Sequence, residues 1–289
     1  MKKKTLNSFF SIFFFVLLIL YCISLICPFI WTFITSLKQR LEYISNPFGL
    51  PKKWLFSNYV DVFDALSVSI NGVKEIKLPQ LFLNSLSYSI ISAIIIVFTN
   101  CVVAYVVSKY PGKIANIIYA FVVVNLILPV VGTLAAELQI MNFLRFYDNM
   151  LGIFLMKISF GGTNFLIFYA MFKSVSWTYA EAAFVDGASH FKVFFAIMLP
   201  MAVPTFFALS LMQFITYWND WQASLMYFPS TPTVAYALHS FQFPGAGAKV
   251  TGVPYIMAGC ILVSMPIIIV FLIFRNKIMG SVSVGGLKG

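Results

Sequence analysis

Between Phe9 and Phe274 the sequence returns repeatedly to runs of roughly twenty residues that carry scarcely a charge. Coiled as an α-helix, a run of that length matches the hydrocarbon thickness of a bilayer. Six such runs are apparent, at about 9–34, 84–107, 114–134, 150–172, 203–224 and 254–274. Hydrocarbon offers no water to backbone N–H and C=O groups, so each run must close its own hydrogen bonds as a helix. Composition agrees: 61% of the residues are apolar and 10% charged, against about 45–50% and about 25% in a soluble domain. The expected architecture is an all-α integral membrane protein of six transmembrane helices, residues 1–289 forming one transmembrane domain.

An even number of spans puts both termini on one side. Lys2, Lys3, Lys4, Lys109, Lys113, Lys173, Lys192, Arg275, Lys277 and Lys288 would share that side. Their density is about twice that of the other side, which favours cytoplasmic termini under the positive-inside rule. The first run is too long for a signal-peptide core, which spans about 7–15 residues, so it reads as a retained helix. The net charge of +10 is spread over short loops between apolar runs and does not point to nucleic acid. Cys22, Cys27, Cys101 and Cys260 lie in or beside spans, without the spacing of a disulfide framework or a zinc site.

The segment 174–200 stands apart, being too polar and too interrupted to cross a membrane. Thr178 and Glu181 have capping-box spacing. Ala180, Ala183 and Phe184 fall on one helical face. Gly187 suits the left-handed residue that ends a helix. Phe191, Phe194, Phe195 and Met198 predict a second apolar stripe, and Pro200 suits the start of a new helix. The pattern Glu181-Ala182-Ala183, three residues, Gly187, nine residues, then Ile197-x-Leu199-Pro200 resembles the EAA loop of ABC importer permeases. Asp186 and Ala188 extend it toward the carbohydrate branch of that family. The ending Gly285-Gly286-Leu287-Lys288-Gly289 is similar to that of a maltose-type permease.

Other polar residues interrupt the spans. Asn84, Ser92, Thr99, Asn100, Asn125 and Asn164 read as interhelical hydrogen-bonders. Lys157 lies about two turns into the fourth run, where a cation is costly; it either snorkels to the interface or faces a wet path. Gly161 and Gly162 loosen the helix after it. Pro129, Pro200, Pro204 and Pro266 mark further breaks. Trp218-Asn219-Asp220-Trp221 ends the fifth run. An aromatic belt accounts for the two tryptophans; alternatively Trp218, Asn219 and Asp220 face a translocation path, where hydroxyl-binding groups beside flat rings suit a sugar. The segment 36–83 holds a short interfacial helix near 56–63, and either caps the bundle or meets a partner. The segment 228–253 is either a linker or a partner contact. His190 and His239 read as structural.

No set of residues in the sequence suggests catalysis or a metal site. Gly112-Lys113 is followed by Ile114 and lacks the phosphate-cradling loop. The resemblance supplies what the residues do not. It implies a type I ABC importer permease fold in a bacterial inner or plasma membrane, and an ATPase dimer that carries ATP and Mg in place of any cofactor here. It also implies a second homologous permease as heterodimer partner and an extracytoplasmic sugar-binding protein. Glu181, Ala182, Ala183, Asp186, Gly187, Ala188, Ile197, Leu199 and Pro200 would couple to the ATPase, and Gly285, Gly286, Lys288 and Gly289 would reach it. A permease for a non-sugar solute, or a secondary transporter, are the competing expectations; the latter would be expected to show ionisable relays or an internal repeat.

Overall fold

A computed structural model of the chain describes residues 2–70, 72, 74–128, 132–243 and 250–282, with side chains from 10 to 274. Pro129 and the Gly285–Gly289 ending lie outside the described residues.

In chain order the first elements are α1 (Lys2–Ser36), α2 (Arg40–Ser45) and α3 (Ser57–Ala65), then a two-stranded sheet of β1 (Ser67–Ile70) and β2 (Lys74–Lys77). The helices α4 (Leu78–Lys109), α5 (Lys113–Ile127), α6 (Leu134–Phe143), α7 (Met150–Met156) and α8 (Gly162–Ser174) follow. After them come α9 (Thr178–Val185), α10 (His190–Val193), a π-helical turn (Phe194–Met198), α11 (Leu199–Trp218), α12 (Trp221–Tyr227), α13 (Val234–Phe241) and α14 (Val253–Val282). The all-α expectation therefore needs one correction, the short ribbon.

The span boundaries need more. Four helices among the described residues are long and apolar enough to cross a membrane: Phe10–Ser36, Leu78–Lys109, His190–Trp218 and Val253–Phe274. The third predicted run divides, since α5 ends at Ile127 and a separate α6 begins at Leu134. The fourth divides too: α7 ends at Met156 and α8 begins only at Gly162, with the backbone between them turned through Gly161 and Gly162 at φ values of 140° and 66°. The fifth run was expected at 203–224 and instead runs from His190 to Trp218. Pro200 falls in the first turn of α11, and Pro204 lies within that helix. Neither opens a new rod, because the π-helical turn carries the chain into α11 without a stop.

The chain forms two compact units, residues 2–68 with 237–265, and residues 69–236 with 266–282. In the first, the turn after α1 is closed by its own polar groups: the Asn58 amide donates to the carbonyls of Ser36 and Lys38, and Ser36 and Tyr59 share a hydroxyl contact of 2.7 Å. In the second, α4 is the central rod and packs chiefly on α8 and α11. Its buried face is rich in small residues, Ser85, Ser89, Ser92, Ala93 and Ala104. Small side chains let helix backbones approach closely, which is how helices associate where lipid removes the hydrophobic drive. Phe165, Phe168 and Phe172 of α8 fill the space beside Val97, Cys101 and Tyr105 of α4.

Candidate functional site

Two groupings in the second unit are candidates. The first is the elbow formed by α9, α10 and the π-helical turn. Its start differs from the expected capping box. Trp177 occupies the N-cap position without a side-chain cap bond, and Thr178 instead shares a 2.9 Å hydroxyl contact with Ser176. The backbone N–H groups of Ala180 and Glu181 both reach the Trp177 carbonyl. Tertiary packing fixes this start, so a local cap is not required. Trp177 packs edge-on to Tyr110, and Lys109 donates its ammonium to the Val175 carbonyl.

The end of α9 matches expectation closely. Gly187 has φ +79°, its N–H bonds to the Phe184 carbonyl, and the Ala188 N–H bonds to the Ala183 carbonyl at 2.9 Å. Together these make a Schellman motif, which an L-residue at Gly187 would strain. A Cβ there would meet nothing within 4 Å, so the cost lies in backbone conformation rather than collision. Ser189 then caps α10 by accepting the Lys192 N–H. The π-helical turn closes with the Leu199 N–H on the Phe194 carbonyl.

The elbow has two faces. Ala180, Val193, Phe194 and Met198 are buried in the core, with Ala183, Phe184 and Ala188 packed against it. Glu181, Ala182, Asp186 and Gly187 are exposed. Val185 and Phe191 are 88% and 79% exposed. The predicted stripe therefore splits: Phe194 and Met198 face inward, whereas Phe191 and Phe195 face outward. The widened turn rotates them apart. Ile197 and Leu199 are half-buried, and Pro200 is exposed. His190, read as structural from sequence, accepts that role: its Nδ1 lies 2.8 Å from the Tyr110 hydroxyl and its ring packs on Phe184.

The second grouping gathers polar residues from α4, α6, α7 and the α11–α12 junction. Asp220 caps α12 by accepting the Ala223 N–H at 2.9 Å, and its other oxygen accepts the Tyr88 hydroxyl at 3.2 Å. Lys157 ends α7, at the break rather than within a continuous span. Its ammonium sits 4.6 Å from the centre of the Tyr217 ring and 5.7 Å from that of Tyr88, a cation–π arrangement, within electrostatic reach of Asp220 and Glu137. The Tyr227 hydroxyl donates to Glu137 at 2.6 Å. Burial, then the Glu137 bond, pushes the Tyr227 phenol up to about 12.

Sequence reading brought Lys157 and Asp220 forward, and the fold brings them together. Asn219 is exposed and bonds back to the Ile215 carbonyl. Trp218 is only 1% exposed and stacks on Phe82, so its ring belongs to the core. Tyr88, Glu137, Tyr217 and Tyr227 were missed. Glu137 carried a signal, a carboxylate close to an apolar run; the tyrosines carried none, being scattered over 140 residues. Asn100, expected as an interhelical bonder, bridges the α7–α8 break: its amide donates to the Ser159 carbonyl and its oxygen accepts the Gly161 N–H. Among the described residues no cluster of three or more His, Cys, Asp or Glu could hold a metal.

The chain is similar to known proteins over most of its length. The chain is 28% identical over 275 residues to the diacetylchitobiose uptake system permease protein NgcG of Streptomyces coelicolor, covering 93% of this chain and 86% of that one. It is 25% identical to the arabinooligosaccharides transport system permease protein AraQ of Bacillus subtilis, covering 96% and 95%. A chain in the crystal structure of a bacterial ABC transporter involved in the import of the acidic polysaccharide alginate superposes with a TM-score of 0.76 at 21% identity, covering 93% and 96%. The family described as the binding-protein-dependent transport system inner membrane component matches residues 1–282. With so much of its length matched, the chain belongs to that family of multi-pass membrane permeases.

Proposed function

We propose that this chain is the membrane-spanning permease subunit of an ATP-driven importer for a sugar or oligosaccharide. The observation that carries the coupling role is the elbow: a rigidly seated short helix whose outer face, Glu181, Ala182, Val185 and Asp186, is exposed and ends on a left-handed glycine. Such a surface suits the cleft of a separate ATPase, with Glu181 accepting a charge-assisted hydrogen bond from a basic group there. The ATPase supplies ATP and Mg; this chain contributes displacement. Because α10, the π-helical turn and α11 are continuous, a push on α9 passes to α11 as a rigid motion, and the bundle alternates between inward- and outward-facing states.

The carbohydrate reading is supported by the saccharides printed in the names of NgcG and AraQ, and by the chemistry near Asp220. The part-exposed Asp220 carboxylate and Lys157 ammonium offer hydroxyl partners, with the buried Tyr88 and Tyr217 rings behind them. We place Lys157, Asn219 and Asp220 along the path and assign Trp218 to supporting the wall. The type I fold of six crossings comes from counting α5–α6 and α7–α8 as broken spans, with residues 1–289 as one domain and both termini cytoplasmic. One elbow per chain and two clefts per ATPase dimer call for a second permease, and the family description implies a soluble binding protein. Gly285, Gly286, Lys288 and Gly289 are assigned to ATPase contact.

The test is reconstitution with the ATPase, the second permease and the binding protein in liposomes, scored for uptake across a panel of oligosaccharides. ATP-dependent uptake of at least one saccharide is the expected result. Solute transport by this chain alone, without an ATPase, would overturn the proposal.

A further inference from the structure

Between α9 and α10 the backbone leaves the helical region. Residues 186–189 make the connection, with Gly187 at φ +79° and Ser189 at ψ 161°. Ala180 of α9 and Val193 of α10, both fully buried, seat the two helices on the core. A second set of contacts spans the bend, where four rings close a loop. Tyr110, the residue that follows α4, packs edge-on to Trp177 with ring centres 5.6 Å apart, and Trp177 lies 6.0 Å from Phe184 near the end of α9. Phe184 packs on His190, the first residue of α10, at 4.8 Å, and His190 returns to Tyr110 at 5.6 Å. Three of the rings come from the elbow and its approach; the fourth is held by α4.

One contact in the loop is polar. The Tyr110 hydroxyl and His190 Nδ1 lie 2.8 Å apart and share an exposed hydrogen bond, while the Tyr105 hydroxyl is 3.5 Å from that of Tyr110. Ring contacts tolerate a broad range of angles, whereas a hydrogen bond weakens steeply off its axis. The bond is therefore the member of the loop that best resists a change in angle. Being exposed, it adds little to the fold, since both groups would otherwise bond water. Lys109, next to Tyr110, donates to the Val175 carbonyl, and Tyr105 packs on Phe194 of the π-helical turn with ring centres 4.9 Å apart. The last turns of α4 thus grip the elbow on both sides of Gly187.

We propose that Tyr110 is a positioning residue for coupling: its hydrogen bond to His190 locks the bend of the elbow, so that a displacement of α9 moves α10, the π-helical turn and the end of α4 as one body. The inference rests on the elbow being the ATPase-facing lever proposed above, and it adds a second route from that lever into the bundle. From Tyr110 back along α4 to Tyr88 is roughly 33 Å at about 1.5 Å per residue, and Tyr88 bonds Asp220. The lock therefore ties the elbow to the polar cluster through the central rod as well as through α11.

The test uses the complete importer, with its ATPase, second permease and binding protein, in liposomes. Tyr110→Phe keeps the ring against Trp177 and deletes the bond. Its yield and thermal unfolding should match wild type and ATP hydrolysis should persist, while solute taken up per ATP hydrolysed falls several-fold. His190→Phe should do the same, and the double variant should lose no more than either alone, because the two changes remove one bond. Unchanged uptake per ATP in Tyr110→Phe, alongside lost uptake in Gly187→Val, overturns the lock and leaves the elbow reading intact. Wild-type uptake in Gly187→Val removes the elbow reading and the lock together. Uptake and hydrolysis that fall in proportion, or losses that add in the double variant, mean the bond does not set the coupling angle, and overturn the lock. Where Tyr110→Phe does not assemble, His190→Phe decides; failure of both to assemble assigns the bond to folding and overturns the lock as well.

Discussion

The elbow and the Lys157–Asp220 cluster place their polar residues in opposite ways. In the elbow, small apolar residues do the seating and the charged ones stay outside, so Glu181 and Asp186 are exposed while Ala180 is fully buried. In the cluster the charges are turned inward and occupied: Asp220 by Tyr88 and the α12 backbone, Glu137 by Tyr227, and Lys157 by two rings. A surface meant to be met by another molecule keeps its groups available. A polar patch near a span spends its groups on its own neighbours, because an unmet charge in low dielectric is costly. Substitutions in the elbow should therefore disturb coupling more than stability, and those in the cluster should do the reverse.

The largest effect should come from Gly187→Val. Holding a β-branched residue at φ +79° costs about 1–2 kcal/mol, yet nothing collides, so the chain should insert and assemble normally. Uptake in proteoliposomes should fall by at least tenfold while purified yield stays near wild type. Wild-type uptake would remove the elbow from the coupling chain.

Asp220→Ala tests the other side. It removes the α12 cap, worth about 0.5–2 kcal/mol, and leaves the Tyr88 hydroxyl and Lys157 without that carboxylate. Thermal unfolding in detergent should move down by several degrees, with altered uptake kinetics. Asp220→Asn, which can still cap, should recover most of the stability. If alanine changes uptake but not stability, Asp220 is a solute contact rather than a brace, and the contrast between the two regions weakens.

Asn100→Ala should cost about 1 kcal/mol by orphaning the Gly161 N–H and the Ser159 carbonyl. Asn100→Asp should cost at least as much as alanine, because it places an ionisable carboxyl at a site only 1% exposed.

The smallest effect is a pH dependence. The raised Tyr227 phenol contributes stability below its ordinary value of 10 that is lost as pH rises toward about 12. Tyr227→Phe should lower stability by roughly 1 kcal/mol at neutral pH, a deficit that shrinks as pH rises from 10 toward about 12. A deficit independent of pH would mean that packing, not the hydrogen bond, is what the hydroxyl provides.

The same contrast explains what could be read from the sequence. The elbow was legible because its information is local: Glu181 to Gly187 lie within seven residues, and one glycine fixes the Schellman geometry. The cluster was half legible. Lys157 and Asp220 are conspicuous as charges near apolar runs, but Tyr88 and Tyr227 acquire meaning only when α4 and α12 are brought together. The spans were legible where long apolar stretches are uninterrupted, as in α1 and α4. They were misread at 150–172, because hydropathy does not register the backbone angles of Gly161 and Gly162. The capping box failed for a related reason: Tyr110, distant in sequence, holds Trp177 and decides where α9 begins.

The π-helical turn from Phe194 to Met198 carries one residue beyond what an ordinary helical turn needs. Removing a single residue within it would restore ordinary pitch while leaving the helical segments on either side in phase. Of all positions from His190 to Trp218, this is where a one-residue deletion should be best tolerated; elsewhere along that rod the same deletion would swing every upstream side chain through about 100°.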